Sequence, residues 1–232
     1  MKGELVVVED VPEAFAALVV DRWRARVSSA FSLALSGGAT ARSCYESLAA
    51  RTGDIDWNTM DVWWGDERCV PLDDPDSNHR LAHEALLDRV VVGAEHPMRC
   101  GPAGATDYDD ALRRVPPLDL IHLGLGPDGH TASLFPESAA LSAPADRLVV
   151  DSIDPTGRNP LPRITLTYGG IARSRCVVVT VSGEEKAEAL ARVHAGDRSA
   201  PATAIDADDV VWLVDPAALC RIGPTGRSGD PR

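Results

Sequence analysis

Aromatic side chains are scarce in this 232-residue chain: three Phe, three Tyr and five Trp make up 5% of it. A core must therefore rest on Val, Leu, Ile and Ala. Positive charge is also in deficit. Against 35 Asp and Glu stand 23 Lys and Arg, a net charge of −12, which argues against a nucleic-acid partner, since such a surface needs a basic face. No apolar run reaches transmembrane length, and the N-terminus carries no charged-then-apolar leader, so no membrane partner and a cytoplasmic location are expected. The five cysteines (Cys44, Cys69, Cys100, Cys176, Cys220) are odd in number and contain no Cys-Xaa-Xaa-Cys pair. They read as reduced thiols, with Cys69 a small buried residue, and neither a disulfide framework nor a zinc site is expected. Neither a dinucleotide Gly-Xaa-Gly-Xaa-Xaa-Gly nor a Walker loop occurs, which removes the usual signals for a nucleotide.

What is present is alternation. Apolar runs at Leu5 to Val8, Phe31 to Leu35, Met60 to Trp64, Leu120 to Leu123, Cys176 to Val181 and Val210 to Val214 read as strands. Between them, apolar residues recur at helical spacing, as in Phe15, Leu18, Val19 and Trp23 after Pro12, or Leu81, Leu86 and Leu87 after Asn78. The near-continuous Val of Cys176 to Val181 suits a strand buried on both faces. Leu148 to Val150 reads as a small strand, Val90 to Thr106 as irregular, and Asp215 to Ala218 as the start of a final short helix. Strands alternating with helices predict a single-domain, Rossmann-like α/β three-layer sandwich with a mostly parallel sheet. The domain is expected over 1–222, followed by a polar Gly/Pro-rich tail at 223–232.

Polar clusters sit just after the predicted strands. Ser36-Gly37-Gly38-Ala39-Thr40 follows the second strand and opens a helix, an arrangement that offers backbone N–H groups and a positive helix end to a phosphate. Asp66-Glu67-Arg68 follows the third strand. Gly126-Pro127-Asp128-Gly129-His130-Thr131-Ala132-Ser133 follows the fourth, and Ser182-Gly183-Glu184-Glu185-Lys186 the fifth. Four such clusters on successive strands indicate a shared pocket at the carboxyl edge of the sheet, where open α/β sheets bind ligands. That pocket would hold an anion cradle, the cations Arg68, Arg163 and Lys186, and His130, whose ordinary pKa suits a general base on water. Asp128 would either orient the imidazole or cap the turn. A small phosphorylated ligand fits this set. No metal is required: His79 and His83 share a helix face, but His-Arg-Leu-Ala-His lacks a Glu after the first His, and they read as structural or surface histidines.

Together these clusters resemble the 6-phosphogluconolactonases. The likeness runs from about Val6 to Leu219 and rests on Leu35-Ser36-Gly37-Gly38-Ala39-Thr40, Trp64-Gly65-Asp66-Glu67-Arg68-Cys69-Val70-Pro71 with Asp76-Ser77-Asn78, Gly124 to Pro136, Arg163-Ile164-Thr165-Leu166-Thr167 and Val181 to Lys186. The most specific part is Gly129-His130-Thr131-Ala132-Ser133-Leu134-Phe135-Pro136. The resemblance implies the fold of the glucosamine-6-phosphate deaminases and ribose-5-phosphate isomerases. It also implies hydrolysis of the phosphorylated gluconolactone of the oxidative pentose phosphate pathway, without a cofactor.

By that resemblance His130 is the general base, with Arg68 near the reacting carbonyl. Ser36, Gly37, Gly38, Thr40, Arg163 and Lys186 hold the phosphate, although which of Arg68, Arg163 and Lys186 faces which end stays open. Asp66 would orient or ion-pair with Arg68. The family's usual Ser-Thr-Pro-Lys/Arg after the Gly-Gly pair is here Ala39-Thr40-Ala41-Arg42, which keeps the backbone donors but loses a hydroxyl and a helix-starting Pro. Two rivals remain, a deaminase or isomerase on the same fold and a non-catalytic sugar-phosphate sensor. The deaminases read Asp-Glu-Tyr where Arg68 stands here. A monomer or weak dimer is expected.

Overall fold

The computed structural model describes residues 1–222; the expected tail, 223–232, lies outside the described residues. In chain order the elements are β1 (Glu4–Val7), α1 (Val11–Arg24), β2 (Phe31–Leu35), α2 (Ala39–Ala49), β3 (Met60–Trp64), β4 (Asp66–Arg68), α3 (Asn78–Ala85), β5 (Ala94–His96), α4 (Gly104–Arg113), β6 (Leu120–Gly124), β7 (Val149–Ser152), β8 (Arg163–Leu166), α5 (Tyr168–Ala172), β9 (Cys176–Val181), α6 (Ala187–His194) and β10 (Asp209–Val214), with short 3-10 turns between several of them.

Seven strands form one parallel sheet in the order β1-β10-β9-β6-β2-β3-β5. From β2 the chain builds outward through β3 to β5, then returns to lay β6 on the other side of β2 and continues outward through β9. The β2/β6 boundary is thus the switch point, where the loops leaving the two carboxyl ends diverge and open a crevice. The predicted α/β sandwich is the observed fold, in a single domain.

Side-chain alternation explains the layers. Along β6, Leu120 and His122 face α1 and α2, where His122 packs 4.2 Å from the Phe15 ring and 5.5 Å from Tyr45. In β3, Trp64 faces α3, while Trp63 points the opposite way and meets Tyr108 of α4 edge-on. One sheet therefore has helices on both faces. Each central strand must be apolar on both sides, as β9 is, with all six residues buried. Asp10 starts α1 by accepting the Glu13 amide, and Ser77 starts α3 by accepting that of Arg80.

Three elements depart from expectation. Asp66–Arg68 is a strand, not a turn. The chain leaves the main sheet at Gly65, whose amide donates to the Leu35 carbonyl, and enters a small antiparallel sheet of order β4-β8-β7. Three charged residues in a row carry no apolar alternation, so only the pairing with β8 reveals them as a strand. Ala94–His96, within a segment that reads as irregular, pairs with β3 as the outermost strand of the large sheet. Asp215 to Ala218 forms turns, with Asp215 accepting the Ala218 amide, and does not continue as a helix.

The cysteine expectation is corrected as well. Cys69 and Cys100 form a disulfide, their Cα atoms 5.3 Å apart across 31 positions of sequence, within the span a bridge needs. Cys69 is half-buried at the end of β4, and Cys100 lies in the loop after β5. No local motif announces the pair, because folding brings the two segments together. Cys44 and Cys176 are free and buried, and burial pushes their thiols up to about 12 and about 11. Neither is a nucleophile at neutral pH.

Candidate active site

The carboxyl ends of β2, β6 and β9, with β4 and β8, enclose one pocket. Its walls include Ser36, Gly37, Gly38, Thr40, Asp66, Arg68, His130, Arg163 and Lys186. Every predicted site residue except Asp128 lines it, and Asp128 lies directly behind His130. Four expected clusters and the arginine of β8 thus converge on one space.

The Gly loop leaves backbone donors open at the start of α2. Gly38 sits at φ +97°, a conformation that L side chains rarely adopt, and it opens α2 without a side-chain cap or an acidic residue in the first turn. The first-turn amides of α2 are therefore left for a ligand. Gly37 is fixed by a neighbour: a Cβ there would lie 1.8 Å from the Asn78 side-chain oxygen. Ser36 differs from expectation in its amide, which donates inward to the Tyr45 hydroxyl at 2.6 Å. Arg42, the basic residue after the loop, pairs with Glu84 at 2.9 Å.

The His130 turn is equally constrained. The imidazole Nδ1 lies 2.5 Å from Asp128 Oδ1, and the His130 amide donates to the same oxygen at 3.0 Å. Burial pushes the Asp128 carboxyl up, but the hydrogen bonds from the His130 ring and amide outweigh it and hold the group below its ordinary value. An ionised Asp128 accepts, so Nδ1 carries the proton and Nε2 is the basic nitrogen. Of the two roles left open for Asp128, orienting the ring is thus present in the geometry, and the amide contact adds the turn cap. A Cβ on Gly126 would lie 2.1 Å from Nδ1, so only Gly leaves room for the ring. Ala132, in the same turn, is held at φ 48°, a strained conformation for a residue with a side chain.

Register explains the cations. Antiparallel pairing sets Arg68 opposite Arg163 and Asp66 opposite Thr165 on the face of the small sheet turned to the pocket, while Ile164 and Leu166 are buried in the core. Like charges directly opposite each other are unfavourable unless an anion lies between or above them. Burial, then the nearby Arg68, lowers the pKa of the Arg163 guanidinium. Arg163 is 7% exposed, its buried Nε has no hydrogen-bond partner, and among the described residues it pairs with no carboxylate within 4.0 Å. A buried cation without a protein counter-ion is a binding group for an external one. Among the described residues the Arg68 guanidinium donates one hydrogen bond, from Nη1 to the Asp76 carbonyl at 2.6 Å.

Of the two roles expected of Asp66, orienting Arg68 or pairing with it, the ion pair is not formed among the described residues. Asp66 accepts instead from Ser133 Oγ at 2.6 Å and Asn78 Nδ2 at 3.3 Å. Glu67, on the opposite face of β4, organises the loop behind it, accepting the amides of Arg68, Asn78 and His79 and the Ser77 hydroxyl. Asn78, Ser133, Asn159 and Thr180 also reach the pocket wall; Ser133 and Asn78 fall within the quoted clusters and motifs but are given no role there, and Asn159 and Thr180 are missed. Asn78 carries a usable signal, being the first residue of a helix that follows the charged cluster; Asn159 and Thr180 carry none.

An open α/β sheet with an anion cradle, unpaired cations and a carboxylate-oriented histidine at its switch point defines a site for a small phosphorylated ligand, of the hydrolase or isomerase kind. The sequence comparison narrows this. The model of the family described as glucosamine-6-phosphate isomerases/6-phosphogluconolactonase matches residues 7–212, and the chain belongs to that family. A 6-phosphogluconolactonase from Nostoc sp. is 39% identical over 206 residues, covering 81% of this chain and 83% of the relative. One from Mycobacterium tuberculosis is 35% identical over 210 residues, covering 82% and 84%. The crystal structure of the Thermotoga maritima 6-phosphogluconolactonase aligns with a TM-score of 0.78 at 30% identity, covering 92% of this chain and all of the other. A monomeric glucosamine-6-phosphate deaminase aligns with a TM-score of 0.81 at 20% identity, covering 95% of this chain and all of that one, and shows the shared fold alone.

Proposed function

We propose that the protein hydrolyses 6-phospho-D-glucono-1,5-lactone to 6-phospho-D-gluconate, the lactone-opening step of the oxidative pentose phosphate pathway. The observation that carries this reading is the contact of His130 Nδ1 with Asp128 at 2.5 Å, in a pocket that also holds an uncapped helix start and an unpaired buried arginine. Nε2 of His130 takes a proton from water as the water oxygen bonds to the lactone carbonyl carbon. The tetrahedral oxyanion then collapses, the ring C–O bond breaks, and the proton held by His130 passes to the departing sugar oxygen.

The two ends of the substrate need different partners. Arg163 and Lys186, neither with a protein counter-ion among the described residues, suit the doubly charged phosphate together with the first-turn amides of α2. Arg68, fixed at one Nη by a carbonyl, suits the localised charge of the oxyanion. Asp66 keeps Ser133 and Asn78 in place at the pocket wall. Holding the phosphate brings the carbonyl to the base in register.

No helix of the described residues is long and apolar enough to cross a membrane. The reading places the enzyme in the cytoplasm, where phosphorylated sugars are retained by their charge. It also has the enzyme act as a monomer or weak dimer. Among the described residues the large exposed apolar side chains are Val7, Val27, Val91 and Ile153, too few there for an extensive apolar interface.

The test is hydrolysis of freshly generated lactone, corrected for spontaneous opening, by wild type and Arg163→Ala. Wild type should accelerate the reaction, and the variant should lose mainly in KM. A pure kcat loss would move Arg163 to the carbonyl end. If wild type binds 6-phosphogluconate without turnover, the protein is a sensor and the hydrolase reading fails.

A further inference from the structure

Where α3 meets β5, outside the lining of the anion pocket, three metal-ligating side chains converge that no single segment of sequence displays. His79 and His83 lie one helical turn apart, their rings 4.4 Å between centroids. Glu95 reaches them from β5, with its Oε2 at 3.0 Å from His83 Nε2 and 3.9 Å from His79 Nε2. One donor atom from each residue lies within 4.8 Å of the others. Local pattern sets the two histidines aside, because the residue after His79 is Arg80. The third donor comes instead from the edge strand, whose sequence reads as irregular.

We propose that His79, His83 and Glu95 bind a divalent transition-metal ion of the zinc class, at a site separate from the anion pocket, tying α3 to β5.

Two imidazoles and one carboxylate are a donor set that zinc takes in tetrahedral sites, leaving the fourth position to water. Bonds of about 2.0–2.2 Å place tetrahedral donors roughly 3.4 Å apart, and the three donors here already lie within 4.8 Å of one another. The outer shell is present too: His83 Nδ1 lies 3.0 Å from Asp88 Oδ1, the carboxylate–histidine arrangement that fixes the tautomer and strengthens the ligand. The three side chains are 19%, 29% and 33% exposed, open enough for an ion to enter. Imidazole donors favour Zn²⁺, Co²⁺, Ni²⁺ or Cu²⁺ over Mg²⁺ or Ca²⁺. The His79 amide is bonded to Glu67, so an ion here would also stiffen the helix start that carries Asn78.

The test uses the full chain, stripped with a chelator and dialysed. Calorimetric titration with zinc chloride should show one saturable site, and excess zinc should raise the thermal unfolding midpoint. Cobalt should give the visible absorption of a tetrahedral ion. Glu95→Gln and His83→Asn should each weaken zinc binding at least tenfold, and Asp88→Asn, at an exposed position that will not disturb folding, about tenfold. His130→Ala should bind as wild type does, which separates this site from the pocket. Absence of saturable binding, or binding undiminished in Glu95→Gln and Asp88→Asn, would overturn the proposal.

Discussion

His122 and His130 lie on the same strand-and-loop segment, eight positions apart, yet the fold turns them into opposite kinds of residue. His122 points beneath the sheet and is fully buried. Its Nδ1 lies 3.0 Å from the Tyr45 hydroxyl and its Nε2 lies 2.9 Å from Thr180 Oγ1, and burial drives its pKa down to about 3. The same Tyr45 hydroxyl accepts the Ser36 amide, so this polar chain supports the Gly loop from below. His130 stands past the strand end, in the pocket, with one nitrogen given to Asp128 and the other without a partner among the described residues. One imidazole has both nitrogens occupied and cannot take a proton without losing a partner. The other has been left a lone pair and a charged neighbour. Position relative to the sheet edge separates a histidine with both nitrogens engaged from one with a nitrogen turned to the pocket.

Three changes would break or sharpen that contrast. The largest effect is expected for His130→Ala, which should lower kcat for lactone opening about 10³-fold while leaving 6-phosphogluconate affinity within a few-fold, since general-base catalysis contributes on that order. Activity within a few-fold of wild type would remove the base from His130. Next, Asp128→Asn should lower kcat about 10²-fold by releasing the ring and its tautomer, with KM little changed. If kcat is unaffected and only thermal stability falls, Asp128 is a turn cap and nothing more.

The smallest effect, and the one that isolates the buried partner, is on acid stability. The folded pKa of His122, about 3, lies below the ordinary value of about 6.5 in an unfolded chain. Between the two, only the unfolded state takes up this proton, so stability is lost as pH falls from about 6.5 toward about 3. From about pH 7 to about pH 5 the loss from this group is about 2 kcal/mol. Urea unfolding of wild type and His122→Leu at both pH values should show that the variant loses about that much less. Equal losses in the two proteins would mean that His122 is not held neutral by the fold.

Much of the fold and the pocket is legible in the amino-acid pattern. The strands and helices that build the large sheet follow from apolar periodicity, because a strand covered on both faces has to read as an unbroken Val and Leu run. The pocket is legible for a related reason: polar residues that interrupt such a pattern just after each strand have little structural use there, and in a parallel sheet those positions all fall on one edge. His130, Arg68 and Lys186 can therefore be gathered from residues nearly 120 positions apart, whereas Arg163 follows no strand of the parallel sheet. Asp66 falls at the pocket as its spacing implies, but its partner is not the expected one, since pairing with Ser133 or Arg68 depends on side-chain directions that spacing does not encode.

What the sequence by itself determined was the alternating sheet-and-helix plan and the carboxyl-edge cluster, both consequences of local periodicity and chain direction. Only the tertiary structure decided the small sheet that sets Arg68 against Arg163, the Cys69–Cys100 bridge, the burial of His122 and the approach of Glu95 to His79 and His83. Each is a meeting of segments far apart in the chain. Such meetings are fixed by packing and strand register, which the one-dimensional pattern leaves open.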